Sequence, residues 1–300
     1  MPKYTKVVPY WEVEEIDDGQ GGTIKKYKST TNLPSPDDVR RQWCFGLPLA
    51  TEDGTPMTDE DIISFMNGAI ARMERELGVF LKPTIIACNG EMRGLEPGVD
   101  FDIEEPPYDY DYKQWFNYGF LQLRHRPVIE LHEFKLILPN NQIIFDFMTK
   151  PEWLKTNPRS GQVRIVPYAG DPTIFSLAGS SLSGYPFLTG LIQTNVPQMI
   201  FASYVAGFEL GQIPSDIVTA VGKMAAIDIL GVAGDAVMVG IAGMSTSIDG
   251  LSESVSLTAS ATSATYGAHI KQLQDEVKDF FSAKSGNIRS AVRGVTFTVL

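Results

Sequence analysis

The sequence predicts an α+β fold: a helical bundle core from N- and C-terminal helices, with an inserted β-rich domain and extended terminal arms. Two observations support this. Near both ends of the chain, over 58–77 and 266–283, apolar residues recur at spacings of three and four, which is the helical period. Between 83 and 211, prolines and glycines instead separate short runs of β-branched and aromatic residues. Helices at both ends with strands between them indicate an α+β chain.

The same patterns predict a division into five parts. They are an N-terminal arm over 1–34, a helical part over 35–82 that joins 212–243 and 266–285 in one domain, an inserted β-rich domain over 83–211, a Ser/Thr-rich loop or hairpin over 244–265, and a C-terminal tail over 286–300. With 300 residues, 43% of them hydrophobic and 20% charged, the chain has the composition of a folded protein.

The first elements carry clear start signals. The strand-like runs Thr5–Val13 and Thr23–Tyr27 flank a Gly-Gln-Gly-Gly segment and predict an arm or hairpin. Ser35, followed by proline and two aspartates, predicts a short helix that ends near Trp43. Thr58, with an aspartate three residues later, predicts a capping box at the start of a longer helix that ends at Gly78. The apolar stripe of that helix is Ile62, Met66, Ala69, Met73 and Leu77.

The middle of the chain predicts six strands. The runs are Thr84–Ala87, Gly119–Leu123, Val128–Leu138, Gln142–Phe147, Gln162–Val166 and Met199–Tyr204. Beyond them, 217–233 is apolar nearly all round, so a helix there must be buried in a core or between subunits.

The C-terminal third predicts surfaces that extend toward neighbours. Asp249-Gly250, between Ile248 and Leu251, indicates a tight turn, and the alternation after it is that of an edge strand; a flexible linker is the competing interpretation. An amphipathic helix follows over Tyr266–Ala283. The terminal run Val295-Thr296-Phe297-Thr298-Val299-Leu300 also alternates, so we expect it to add a strand to a partner or to pair within its own subunit.

The sequence predicts no catalytic, cofactor or metal site. His125 and His132 are seven residues apart, which places them on opposite faces of a strand, and neither Cys44 nor Cys88 has zinc or redox spacing. Carboxylates cluster over Ile103–Tyr112, where a solvated loop is favoured over a protein contact through Tyr108, Tyr110 and Trp115. Whether that acidic loop binds a metal ion is left open, and a carboxylate-dependent hydrolase is a remote alternative.

The formal net charge of −11 argues against global attraction to nucleic acid. The nearest approach to a basic cluster is Lys25, Lys26 and Lys28, which a solvated loop explains. Charges at Lys223, Asp228 and other positions make 217–243 a poor membrane span, and the N-terminus lacks a hydrophobic signal core. We therefore expect a protein made and used in a cytoplasm or in a particle assembled there, without membrane partners.

Three short blocks carry a family resemblance. Tyr204-Val205-Ala206-Gly207-Phe208 is followed, after a spacer, by Ile213-Pro214-Ser215-Asp216-Ile217; Glu76-Leu77-Gly78 ends an earlier helix; and Leu123-Arg124-His125-Arg126-Pro127-Val128 leads into a strand. Taken in their order along the chain, the blocks resemble the head-to-tail connector (adaptor) proteins of tailed bacteriophages. The long β-rich insert, N-terminal arm and Ser/Thr-rich loop depart from the compact pattern of that family, which suggests an enlarged adaptor.

The resemblance implies a structural virion protein at the neck, assembled in the host cytoplasm. It implies a homo-oligomeric ring, a dodecamer in that family, that joins the portal protein to a tail terminator or next neck protein, with DNA passing through unbound. Another virion component, such as a tail-completion, collar or baseplate protein, is the alternative. The candidate interaction residues are Tyr108, Tyr110, Trp115, Ile248, Asp249, Gly250, Leu251, Val295, Phe297, Val299 and Leu300.

Overall fold

The computed structural model describes residues 2–17, 23–50, 54–89, 94–111, 120–137, 143–166, 195–237, 243–248, 251–256 and 266–282. The chain forms two compact units. The sheet unit takes its described residues from 2–8 and 78–209, and the helical unit from 9–77 and 210–282. The sequence prediction set the corresponding boundaries at 83 and 211 and kept 1–34 as one arm.

The helices and strands follow one another along the chain in this order: β1 (Trp11–Asp17), β2 (Thr23–Ser29), α1 (Pro36–Gln42), α2 (Asp59–Leu77), β3 (Thr84–Cys88), β4 (Ile103–Glu105), β5 (Tyr108–Asp111), β6 (Phe120–Gln122), β7 (Val128–Ile137), β8 (Ile143–Asp146), two 3-10 turns (Phe147–Thr149 and Pro151–Trp153), β9 (Leu154–Asn157), β10 (Gln162–Ile165), β11 (Asn195–Ala206), α3 (Ser215–Val237), β12 (Gly243–Ile248), β13 (Leu251–Ser256) and α4 (Gly267–Phe281).

Both predicted helix starts are present, and each has a capping box, as predicted for Thr58. At α1, Asp38 N donates to Ser35 Oγ and the Asp38 carboxylate accepts from Ser35 N, at 3.2 and 2.9 Å. At α2, Asp61 and Thr58 make the same reciprocal pair, at 3.2 and 2.9 Å. Each box satisfies backbone donors that a helix start leaves without partners, which stabilises a helix by about 1 kcal/mol.

In the helical unit, α3 packs against α2 and against α4. The predicted apolar stripe of α2 is buried, together with Ile63 and Ile70. Gly222 on α3 allows the Trp43 ring to lie directly against the helix, because a Cβ there would come within 2.8 Å of Trp43 Cζ2, with two other ring atoms closer still. That the helices form the core bundle of the protein remains a prediction.

Ser215–Gly234 of α3 is long and apolar enough to cross a membrane, with a mean hydropathy of 1.6. The sequence instead predicted a poor span here. The buried share of this segment is 61%, and its charged residues have partners inside the unit. Lys223 Nζ lies 2.7 Å from Glu276, and Asp228 pairs with Arg72. We therefore treat α3 as a core helix.

The sheet unit is organised around β11. Its largest sheet has the order β4-β3-β11-β7-β8, and β5 also pairs with β11. Only β3 and β4 run parallel among the described pairs. Large side chains fill the space beside the sheet, and the stacked rings of Phe145 and Trp153, 5.6 Å apart, are part of this core. A second sheet has the order β6-β10-β9.

Three of these strands were not predicted. The solvated-loop interpretation of Ile103–Tyr112 is wrong for its described part, because β4 and β5 lie there and β5 pairs with the central strand. Strand β9 was also missed. The loop interpretation of Lys25, Lys26 and Lys28 is likewise wrong, since all three lie on β2.

Candidate functional site

Two of the sequence blocks that carry the family resemblance meet at Gly207, the residue that follows β11. Gly207 N donates to Pro127 O at 2.8 Å, and this bond joins two of the blocks directly. Phe208 N donates to Phe80 O at 3.2 Å, and Phe80 lies two residues after the Glu76-Leu77-Gly78 block. The Phe80 ring in turn lies 5.0 Å from the His125 ring, between centroids. Segments far apart in sequence, just after α2, just before β7 and at the end of β11, are thereby joined at one point, which we call the Gly207 junction.

Glycine is required at this junction by both backbone conformation and space. Gly207 has φ +113°, a region that other L-residues rarely adopt. A Cβ at this position would come to 2.9 Å from Phe80 O and closer still to Lys82 O. Both obstacles are backbone atoms, which cannot move aside as a flexible side chain can. The glycine in the Ala-Gly-Phe run of the sequence block therefore has a direct structural cause.

A buried polar network, which we call the Glu105 network, adjoins the junction. Glu105 ends β4, and its side chain is only 9% exposed. One of its carboxylate oxygens, Oε1, lies 2.7 Å from His125 Nε2, and the other, Oε2, lies 3.3 Å from Arg124 NH1. Arg124 also donates to Pro106 O at 2.6 Å and to Pro107 O at 3.3 Å. A buried carboxylate requires such partners, because burial without them is costly.

Two tyrosines complete the Glu105 network. The hydroxyl groups of Tyr108 and Tyr204 lie 3.2 Å apart, and each lies 3.4 Å from Glu105 Oε2. They also accept backbone hydrogen bonds, from Arg124 N at 3.0 Å and from His125 N at 3.2 Å. The Arg124 guanidinium stacks on the Tyr108 ring at 3.9 Å from its centroid. Strands β5 and β11 thus hold the Arg124–His125 backbone, and β4 holds the two side chains through Glu105.

The ionisation of the Glu105 network follows from these contacts. Burial by itself disfavours the Glu105 carboxylate, but the hydrogen bond and charge of His125, with those of Arg124, outweigh it and lower its pKa below the ordinary value of 4.5. Burial raises the pKa of Tyr108 to about 12 and raises that of Tyr204 further. Both phenols are therefore neutral at physiological pH, and they serve as hydrogen-bonding groups.

The chemistry of this site suits a role in holding the Arg124–His125 segment in place. The carboxylate of Glu105 contacts the Arg124 guanidinium, the His125 ring and the hydroxyls of the two tyrosines. All of its partners therefore lie within the protein. Within the described residues, no group of three or more His, Cys, Asp or Glu side chains is placed to hold a metal ion. Each of the other histidines has its own contact: His132 Nε2 lies 2.8 Å from Glu130, and His269 Nε2 lies 2.8 Å from Trp43 O.

The predicted interaction residues fall in different places. Tyr108 is buried within the Glu105 network, and Tyr110 is half-buried on β5. Ile248 and Leu251 pair across the β12–β13 hairpin, and Asp249 and Gly250 lie outside the described residues. Trp115 and the terminal residues Val295, Phe297, Val299 and Leu300 also lie outside the described residues. Their interaction roles remain predictions.

Sequence reasoning missed Glu105 and Tyr204 as partners of the Arg124–His125 segment. One local signal was available for β5: Tyr108-Asp109-Tyr110-Asp111 alternates aromatic and acidic residues, which is the period of a strand. The low strand propensity of aspartate and the two preceding prolines obscured it. No local signal pairs Glu105 with His125, since twenty positions separate them and the contact depends on the sheet.

No protein-family model matches the chain, and no curated protein matches it. Among solved structures, a chain of "Virion of native gene transfer agent (GTA) particle" is 14% identical with a TM-score of 0.37, covering 80% of this chain and 89% of that chain. A chain of "Neck of empty GTA particle computed with C6 symmetry" is 11% identical with a TM-score of 0.35, covering 87% of this chain and 94% of that chain. Values this low establish neither a shared fold nor a shared function.

Proposed function

We propose that this protein is a structural connector in the neck of a tailed-phage-type virion, where copies form a ring between portal and tail around the DNA channel. The observation that carries the proposal is the Gly207 junction. Two of the blocks that resemble the phage adaptors, those that contain Pro127 and Gly207, are distant along the chain, yet they are hydrogen-bonded to each other at this point. A chance likeness of short apolar blocks gives no reason for them to converge.

The electrostatic and chemical character of the chain supports the same proposal. A net charge of −11 suits a channel component that DNA must pass without adhering, because each neutralised phosphate would add affinity. The carboxylate of the Glu105 network is occupied by internal contacts. A positioning role for that cluster is compatible with a structural protein and does not require an enzymatic one.

Another virion component, such as a tail-completion, collar or baseplate protein, is the second candidate. The size of the sheet unit favours it, because a sheet centred on the twelve-residue β11 exceeds what a compact adaptor requires. Location within the particle separates the two candidates: a connector contacts the portal, whereas a baseplate component lies at the distal end of the tail.

The test is to locate the chain in assembled particles and to measure its association with the portal protein. We expect an epitope-tagged chain to lie at the head–tail junction in electron micrographs of purified particles. We also expect light scattering to show association of the protein, either alone or on mixing with portal. A chain found only at the distal tail supports the second candidate, and a chain absent from particles refutes both.

A further inference from the structure

The two strands of the β1–β2 ribbon carry opposite charge. β1 has the sequence Trp-Glu-Val-Glu-Glu-Ile-Asp, with four carboxylates and no cation, whereas β2 has the sequence Thr-Ile-Lys-Lys-Tyr-Lys-Ser, with three ammonium groups and no anion. The register is regular, with Glu12 opposite Lys28 and Glu14 opposite Lys26. The ribbon therefore has one acidic edge and one basic edge.

One face of the ribbon contacts α2 within the helical unit. Trp11 Nε1 donates to Asn67 Oδ1 at 2.9 Å, and Lys25 Nζ lies 2.9 Å from Glu60 Oε1 on α2. Tyr27 donates to the same Glu60 oxygen at 3.2 Å. These contacts hold the ribbon in a defined position on α2, which a subunit contact made by the ribbon would require.

The opposite face is exposed and charged. Because side chains alternate along a strand, Glu12, Glu14, Lys26 and Lys28 all project from this second face. All four are exposed, and among the described residues no ion pair within 4.0 Å engages any of them. Ile16, on the same face, is 44% exposed. These charges are available to another molecule.

The ribbon also has backbone available for pairing. In the described part of the chain its sheet has two strands, β1 and β2, so each has a side on which no described strand pairs with it. Such edges are templates for the addition of another strand. The exposed charges then decide which strand each edge accepts.

The charge pattern disfavours symmetric pairing. If two copies met edge to edge through β1 and β1, carboxylates would lie opposite carboxylates, and pairing of β2 with β2 would oppose lysines to lysines; like charges directly opposite destabilise a sheet. Pairing of β2 with β1 of another copy places lysines beside carboxylates. That contact uses different patches on the two copies, so it repeats head to tail and forms a ring when the rotation closes.

We propose that the β1–β2 ribbon is a contact between copies of this chain, in which β2 of one subunit pairs antiparallel with β1 of the next. In a cyclic ring all ribbons point the same way, so this pairing has the antiparallel sense already present within each ribbon. Lys26 and Lys28 then lie between two acidic strands, one from each subunit. The inference rests on the proposed function for the existence of a ring and identifies the surface that closes it.

The test uses two variants that each remove the complementarity. Glu12→Lys/Glu14→Lys makes the exposed face basic on both strands, and Lys26→Glu/Lys28→Glu makes that face acidic on both strands. We expect each variant alone to associate at least about tenfold more weakly than the wild type, because attractive cross-strand pairs become repulsive. An equimolar mixture of the two should recover assembly, since a basic ribbon can pair with an acidic one. Sedimentation velocity and native mass spectrometry measure both results.

Two controls separate this contact from a folding defect. Lys271→Glu/Lys278→Glu makes the same change of charge as Lys26→Glu/Lys28→Glu, but at exposed positions on α4. It should leave assembly unchanged. Circular dichroism checks that each ribbon variant is folded. If a charge reversal unfolds the ribbon, the neutral pair Glu12→Gln/Glu14→Gln replaces it, with a smaller but still measurable weakening expected.

The proposal is overturned if either reversed variant assembles as the wild type does, or if two folded variants fail to assemble when mixed. It is also overturned if the wild-type protein stays monomeric at high concentration both with and without portal. The proposed function is tested separately by the location of the chain in particles. A chain present at the neck whose ring tolerates both reversals refutes the ribbon contact and leaves the connector proposal standing.

Discussion

Replacing Gly207 by alanine tests the junction most directly. The new Cβ would meet Lys82 O and Phe80 O, and the residue would be held at φ +113°. The backbone conformation costs about 1–3 kcal/mol for a non-glycine residue. Relief of the clash requires movement of β11 away from 80–82, which weakens the bonds to Pro127 O and from Phe208 N, at about 1 kcal/mol each. We expect a total loss of unfolding free energy of about 3–5 kcal/mol.

Gly211 supplies the matched control. It also has positive φ, +75°, but a Cβ there would have no heavy atom within 4 Å. Gly211→Ala should therefore cost about 1–2 kcal/mol, the conformational part alone. Chemical denaturation followed by circular dichroism measures both variants against the wild type. Equal losses for the two alanine variants would refute the assignment of the junction as a place where backbone segments require a residue without a side chain.

The remaining predictions concern other parts of the chain. Gly222→Ala should lower the unfolding temperature because its Cβ would displace the Trp43 ring, whereas Gly231→Ala on the same helix, with open space around it, should raise stability by up to about 1 kcal/mol. Since the folded-state pKa of Glu105 is lowered, its contribution to stability is present above pH 4.5 and is lost as pH falls through the lowered value. Glu105→Gln should thus be destabilised near neutral pH and lose less further stability in acid than the wild type, as measured by unfolding from neutral to strongly acidic pH. Deletion of 294–300 should leave the subunit folded by circular dichroism but abolish assembly or tail joining, and normal infectious particles would contradict it. A gel-shift titration at physiological salt should show no DNA binding; salt-sensitive micromolar affinity would reveal a basic surface that the net charge conceals.

Local signals were sufficient to predict the helices. The caps at Ser35 and Thr58 and the stripe of α2 depend on residues three or four positions apart, so the sequence contains the whole interaction. Strand β7 was predicted within one residue because apolar residues recur along its whole length, separated by single or paired polar residues. These elements are specified by neighbours along the chain.

The candidate site depends on contacts that no local pattern specifies. Glu105 and Tyr204 are 99 positions apart, and their contact exists because β4, β3 and β11 lie side by side. The acidic residues of 103–111 favoured a solvated loop on composition, whereas pairing with β3 and β11 overrides that preference. The need for glycine at 207 likewise arises from the backbone at 80–82, which only the fold brings there.

The position of β11 and α3 in the sequence has a consequence for synthesis on the ribosome. The central strand of the sheet unit and the helix that joins α2 to α4 are consecutive elements, Asn195–Ala206 and Ser215–Val237. The residues that emerge before β11 therefore include β3, β5 and β7 without the central strand that all three share, and α2 without α3, which packs against it. Exposed strand edges and apolar helix faces are what chaperones bind and what aggregates. The nascent chain thus carries incomplete forms of both units until one stretch of about forty residues leaves the exit tunnel and supplies the central strand of one and the central helix of the other.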